Sequence, residues 1–177
     1  NIHKQYIDAG SDIITLNTFG VNTLKYSADE CEKMIRAAYE NAKRAVMESE
    51  RKIYIALDIG PLGRLLSPLG DLDFEDAVSA FAHTVRIGNS LSVDFILIET
   101  MNDTYETKAA VVAAKENSSL PIFVTNVFDS TKKQMTGADI GATVTLLEGL
   151  GVDALGMNCS LGPVQMNEMI DELMSYS

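Results

Sequence analysis

Histidine and cysteine are the scarce residues of this 177-residue chain, two of each, and their scarcity narrows its chemistry first. Cys31 and Cys159 stand far apart and make no disulfide framework, which points to a reducing cytoplasm. His3 lies near a chain end and His83 falls off the apolar stripe of its helix, so neither offers a base to a cysteine nucleophile. Basic runs are missing too. With a net charge of −11 and a pI near 4.5, nucleic acid and anionic membrane are poor partners. No signal peptide or long apolar span is present. No G-x-G-x-x-G or P-loop pattern follows a strand, so a nucleotide fold has no support.

What is present is an ordinary globular balance, 46% apolar and 22% charged, enough for one domain with an ample core. The chain opens without Met, inside what reads as a helix end (Ile2, Tyr6 and Ile7, closed by Gly10). It stops just after another helix, so a piece of a longer protein is expected.

Five short apolar runs recur: Ile13–Leu16, Ile53–Leu57, Phe95–Ile98, Ile122–Val124 and Ala154–Met157. They are nearly continuously hydrophobic, as expected of strands buried on both faces. Helical patterns separate them, and strand alternating with helix predicts a parallel α/β sheet. Ser27 to Glu30 forms a capping box, followed at helical spacing by Cys31, Met34, Ile35, Ala38, Ala42 and Ala45. Cys31 on that stripe reads as core. A second helix starts near Asp73 and presents Phe74, Ala77, Val78, Phe81 and Val85, with His83 facing solvent. A third follows Asp103-Thr104 and buries Ala109, Val112 and Ala113. A fourth carries Ile140, Val144 and Leu147 and ends at Gly149 to Gly151. The last begins at Pro163, where a missing N–H costs nothing, and turns Met166, Met169, Ile170 and Leu173 inward.

Each strand leaves the core through small, polar or acidic residues. Asn17-Thr18 follows the first, Asp58 and Gly60 the second, Glu99-Thr100 the third, Thr125-Asn126 the fourth, and Asn158-Cys159-Ser160 the fifth. Parallel strands bring those ends to one face, where ligands bind in barrels and open sheets alike. The stretch ALGMNCSLGP (154–163) sets a thiol at such a tip: either a small buried hydrophobe or a reachable reactive group. A thiolate is a soft donor suited to zinc, yet one cysteine is short of the three or four ligands that zinc takes. From these residues alone, zinc is unproven.

Five stretches, GSDIITLNTFG (10–20), ALDIGPLGRLLSPLGDLDFEDA (56–77), DFILIETMND (94–103), PIFVTNVFD (121–129) and ALGMNCSLGP, together carry a resemblance that runs nearly end to end. The chain resembles the homocysteine S-methyltransferase domain family, most of all the N-terminal homocysteine-binding module of cobalamin-dependent methionine synthases. The resemblance implies a (β/α)8 TIM barrel, of which residues 1–177 form a single incomplete domain with about five parallel βα units, the second to the sixth. It implies that Cys159 is the first of three zinc-binding cysteines and the catalytic one. Glu99 would contact the amino acid part of homocysteine, with Asn17, Thr18 and Asn158 lining that pocket. The methyl group would come from a cobalamin or methyltetrahydrofolate module, or from a small donor such as betaine. The family's adjacent Cys-Cys pair and its first strand are not in this sequence, so the chain by itself is expected neither to hold zinc tightly nor to turn over. Its open barrel edges leave room for self-association. Two other readings stand beside this one: a different barrel enzyme acting on a pterin or small acid through Asp58 or Glu99, and a non-catalytic fragment or binding module.

Overall fold

The computed structural model describes residues 2–159 and 161–177. Ser160, in the loop singled out above, lies outside the described residues. Helix α1 (Ile2–Asp8) leads to strand β1 (Ile13–Thr15), and the chain then alternates through α2 (Ala28–Met47), β2 (Tyr54–Ile59), α3 (Phe74–Asn89) and β3 (Phe95–Met101). It continues with α4 (Thr104–Asn117), β4 (Ile122–Asn126), α5 (Ile140–Gly149), β5 (Ala154–Met157) and α6 (Pro163–Tyr176). The strands form one parallel sheet in chain order, β1-β2-β3-β4-β5.

Side chains alternate between the two faces of each strand. One set, Ile14 and Leu16, then Ile55, Leu57 and Ile59, then Ile96 and Ile98, is buried within the main core. Leu57 marks where that face points, because a Cβ added at Gly88 of α3 would lie 2.3 Å from its Cδ2. The other set faces the inside of the curved sheet. Phe95 and Phe123 meet there with ring centroids 4.5 Å apart. Towards the strand tips the same face carries Asp58, Leu97, Glu99 and Thr125, following the register that pairs Asp58 with Leu97.

Only β2 is covered on both faces; at the sheet's edges Ile13 is 44% exposed and all of β5 is half-buried. The expectation of strands buried on both faces therefore fails at the edges, where a single neighbouring strand leaves one flank bare. Tyr54, at the start of β2, is also 37% exposed.

The helix starts are set by the residues that mark them in the sequence. Glu30 N–H donates to Ser27 Oγ at 3.3 Å and Ser27 N–H to Glu30 Oε2 at 2.9 Å, a closed capping box. Asp73 caps α3, Asp103 caps α4 and Asp139 caps α5, each such cap contributing about 1 kcal/mol. Cys31 is fully buried, as its stripe requires. Three helical readings are corrected. His83 is half-buried, its Nε2 3.3 Å from the Ala28 carbonyl. Val111 is the fully buried valine of α4, and Val112 is half-buried. Ile170 is 43% exposed, because α6 rests on its neighbours through Met169 and Leu173, with the Tyr176 ring against Gly141 of α5.

At the N-terminal end of the sheet, aspartates fix the register. Asp94 accepts from Ile55 N–H at 2.7 Å and Asp153 from Ile122 N–H at 2.8 Å, so each holds the start of the strand beside it. That end is built for stability, which leaves the opposite rim for chemistry.

Candidate functional site

The rim is assembled from strand tips that run further than the apolar runs indicate. β2 extends to Ile59, β3 to Met101 and β4 to Asn126, so Asp58 is held in the β2–β3 ladder and Glu99 stands within β3, at its irregularity between Ile98 and Met101. Polarity begins inside the strands because the inward face near the rim meets no apolar partner.

Asp58 and Glu99 project from adjacent strands on the inward face, near enough for each carboxyl to act on the other. Two carboxyls so placed, one of them buried, disfavour double ionisation, and one keeps its proton. Asp58 is the one: burial, reinforced by the negative charge of Glu99 and the hydrogen bond to it, pushes its pKa up to about 8. It is 5% exposed, and its Oδ1 has no hydrogen-bond donor. Sequence reasoning placed Asp58 at a strand end without pairing it to Glu99. The signal available was two acidic residues on neighbouring strands, whose register only the structure supplies.

Across the rim, Asn158 donates through Nδ2 to Thr100 Oγ1 at 2.8 Å and reaches Cys159 Sγ at 3.7 Å. Its Oδ1 is buried and has no hydrogen-bond partner among the described residues. Cys159 is an exposed free thiol. Both Thr100 (φ 61°) and Cys159 (φ 55°) hold left-handed backbone, which disfavours residues with a Cβ. Strained backbone of this kind clusters at binding and catalytic sites.

Asn17 is exposed, while Thr18 is 1% exposed with its hydroxyl donated to the Asp58 carbonyl at 2.7 Å. Thr18 therefore positions the β1 loop against β2. Phe19 follows it, and its ring lies where a Gly60 side chain would otherwise stand, 2.5 Å from an added Cβ. A recess of about 1050 Å³ runs around the open edge of β1, walled by α1 and α2, and reaches the rim at Asn17 and Asp58. Asn126 turns away from it: the side chain is fully buried and donates to Met101 O and Thr107 Oγ1.

Glu106 is the second raised carboxyl. Burial pushes it up to about 7, against the opposing effect of Leu62 N–H, which donates to Oε1 at 2.7 Å. It clasps the loop after β2 to the start of α4. Among the described residues, no three His, Cys, Asp or Glu side chains gather closely enough to hold a metal. Cys159 fits as one soft donor of the kind zinc prefers, and a complete centre needs two or three more.

Five consecutive βα units in one parallel sheet, with their polar tips on one rim, define part of a (β/α)8 barrel. Solved structures carry the same fold. The metallated form of the homocysteine methyltransferase MmuM from Escherichia coli superposes with a TM-score of 0.86 over 99% of this chain and 67% of its own, at 18% identity. The apo form gives 0.83 over 99% and 66%, also at 18%. The family profile for homocysteine S-methyltransferase matches residues 1–177. Methionine synthases of Mycobacterium tuberculosis (strain ATCC 25618 / H37Rv) and Mycobacterium leprae (strain TN) are 30% and 29% identical over 99% of the chain. The chain spans 16% of the length of those relatives. It belongs to the homocysteine S-methyltransferase family.

Proposed function

We propose that this chain is the homocysteine-binding part of a zinc-dependent S-methyltransferase that forms methionine. The observation that carries the reading is the meeting, on one rim, of a reachable thiol at Cys159 and an acidic pair, buried Asp58 and half-buried Glu99, with Asn158 and Thr100 between them. Homocysteine has a matching shape: a thiol at one end, an ammonium and a carboxylate at the other. Glu99 holds the ammonium by a charge-assisted hydrogen bond. Asn158 directs its amide at the Cys159 sulfur and keeps the β5 tip in place, and Asn17 closes the pocket at the mouth of the recess. Cys159 supplies one thiolate to the metal. Zinc bound there would lower the pKa of the substrate thiol so that the nucleophilic thiolate is present at neutral pH.

In this reading the remaining donors and the methyl source belong to the longer protein. That source is a cobalamin or methyltetrahydrofolate module or a small methyl donor. Ile2, Tyr6 and Ile13 beside β1 and Val164, Ile170 and Met174 on α6 are exposed apolar residues that further chain or a second copy would cover. No helix among the described residues is long and apolar enough to cross a membrane. A cytoplasmic setting is part of the proposal and rests on the two unpaired cysteines.

Metal analysis of the natural-length protein under reducing conditions tests the reading. About one zinc per chain is expected, with Cys159→Ala losing both metal and methyl transfer. Activity that survives in Cys159→Ala overturns the role given to the thiol. The raised Asp58 favours one second reading, a metal-free barrel enzyme that uses Asp58 as a general acid on a small carboxylic acid or pterin. A protein without zinc whose activity disappears in Asp58→Asn would select it.

A further inference from the structure

The acidic pair at the rim is short of hydrogen-bond donors. Among the described residues, Asp58 Oδ1 has none, and neither has the buried Asn158 Oδ1 from the other side. Asp58 is buried on the strand beside Glu99, and both effects raise it so that it keeps its proton near neutral pH. A primary ammonium brings three N–H donors and one positive charge to that arrangement. Glu99 is the charged group that acts on Asp58. The other ionisable side chains around the recess are His3, Lys4 and Tyr6 on α1, Arg44 on α2 and Glu48 at its C-cap, with Lys4 paired to Glu48.

We propose that the Asp58–Glu99 pair exchanges its shared proton for the ammonium group of the substrate, so that binding an amino acid at this rim releases a proton to water. The proposal deepens the homocysteine reading and rests on it for the ligand. Before binding, the Asp58 O–H donates to the Glu99 carboxylate. On binding, one ammonium N–H takes that place on Glu99 and a second is accepted by Asp58, whose proton departs through the recess at Asn17. Two carboxylates and one ammonium then carry the same net charge as the protonated pair did alone, so the exchange adds no charge to a buried site. An ammonium beside Asp58 favours its ionised form, because an opposite charge at that distance lowers a carboxyl pKa. This makes Asp58 a binding residue that selects for a free amino group.

Calorimetry on the natural-length, zinc-loaded protein tests it at pH 7, in phosphate and in Tris, whose different ionisation enthalpies count the protons released. The ligands are homocysteine and 4-mercaptobutanoate, which keeps the thiol and carboxylate and lacks the amine. Thiol deprotonation contributes equally to both. Homocysteine is expected to release close to one proton more than the analogue. In Asp58→Asn that excess vanishes and homocysteine binds about tenfold more weakly, the loss of one charge-assisted contact. Equal proton counts for the two ligands, with homocysteine bound, overturn the exchange and leave the homocysteine reading standing. No binding of homocysteine at all overturns both. Should Asp58→Asn fail to fold, the two-ligand comparison in the unaltered protein decides alone.

Discussion

Asn158 Nδ2 lies 2.8 Å from Thr100 Oγ1, and that hydrogen bond ties the tip of β5 to the tip of β3 across the intervening strand. It joins one strained position to the residue preceding another. Thr100 and Cys159 both hold left-handed backbone, and the Thr100 N–H is held in turn by Thr125 Oγ1 at 3.3 Å. One amide thus adds a side-chain tie between the thiol-bearing and acidic sides of the rim to the ladder that runs through β4. Breaking it from either end has the same consequence: the β5 tip loses that tie to β3. In the natural-length protein, Asn158→Ala and Thr100→Val are each expected to weaken homocysteine binding about fivefold to tenfold, a typical hydrogen-bond loss. The double variant is expected to cost no more than either alone, a coupling of about 1 kcal/mol. Fully additive losses would mean that the two side chains act separately.

The backbone at Cys159 allows its structural and chemical roles to be separated. With φ at 55°, any Cβ there is strained, and glycine is not. Cys159→Gly is therefore expected to be about 1 kcal/mol more stable than Cys159→Ala. Both lack the thiol and both should lose zinc and activity alike. Denaturant midpoints check the first statement and metal content the second. Equal stability of the two variants would mean that the loop relaxes out of the left-handed conformation.

Strand number, order of elements and the helix caps were legible in the sequence because each depends on near neighbours: a run of apolar residues, or Ser27 facing Glu30 three positions on. The rim was legible as a place, since parallel strands point one way. Its pairings were not. Asp58 and Glu99 meet because β2 and β3 pair with Asp58 opposite Leu97, and a one-residue slip would turn the two carboxyls to opposite faces. The same limit explains Thr18. Sequence places it in the pocket loop, while its hydroxyl is used up on the Asp58 carbonyl. Ile170 was misread for a different reason: apolar periodicity marks a stripe wider than the contact with α5 that α6 makes.

Close approach of α3 to β2 sets the position of Asp58 from behind. A Cβ at Gly88 would stand 2.3 Å from Leu57 Cδ2 and 3.0 Å from its Cδ1 and Cγ. Leu57 is fully buried, so yielding to a new methyl group means shifting packed neighbours. Gly88→Ala is expected to destabilise by about 2 kcal/mol through overpacking. Gly149, in the last position of α5, has nothing within 4 Å of an added Cβ. Gly149→Ala should be neutral or slightly stabilising. Urea midpoints of the two variants test the contrast, and equal midpoints would show that α3 shifts freely on the sheet.

Burial of Asp58 and Glu106 couples the fold to pH with a definite sign. Both carboxyls hold their protons more tightly when folded, Asp58 up to about 8 from 3.8 and Glu106 up to about 7 from 4.5. The folded state therefore binds more protons than the unfolded state between those values, and stability falls as pH rises across that window. The stability linked to these groups is complete below about pH 4 and lost as pH passes through 7 to 8. For Glu106 the full effect is on the order of 3 kcal/mol. The exposed carboxylates Glu30, Glu48, Asp71 and Asp129 are lowered, so they change charge below this window. His3, lowered by burial, acts in the opposite direction, so the measurement belongs in a His3→Gln background. There, the urea midpoint is expected to drop steadily from pH 5 to pH 8.5. Glu106→Gln keeps a carbonyl for Leu62 N–H and cannot ionise, so its profile should be flatter and cross above the parent at high pH. A midpoint that rises with pH over this range would mean that neither carboxyl is held protonated by the fold.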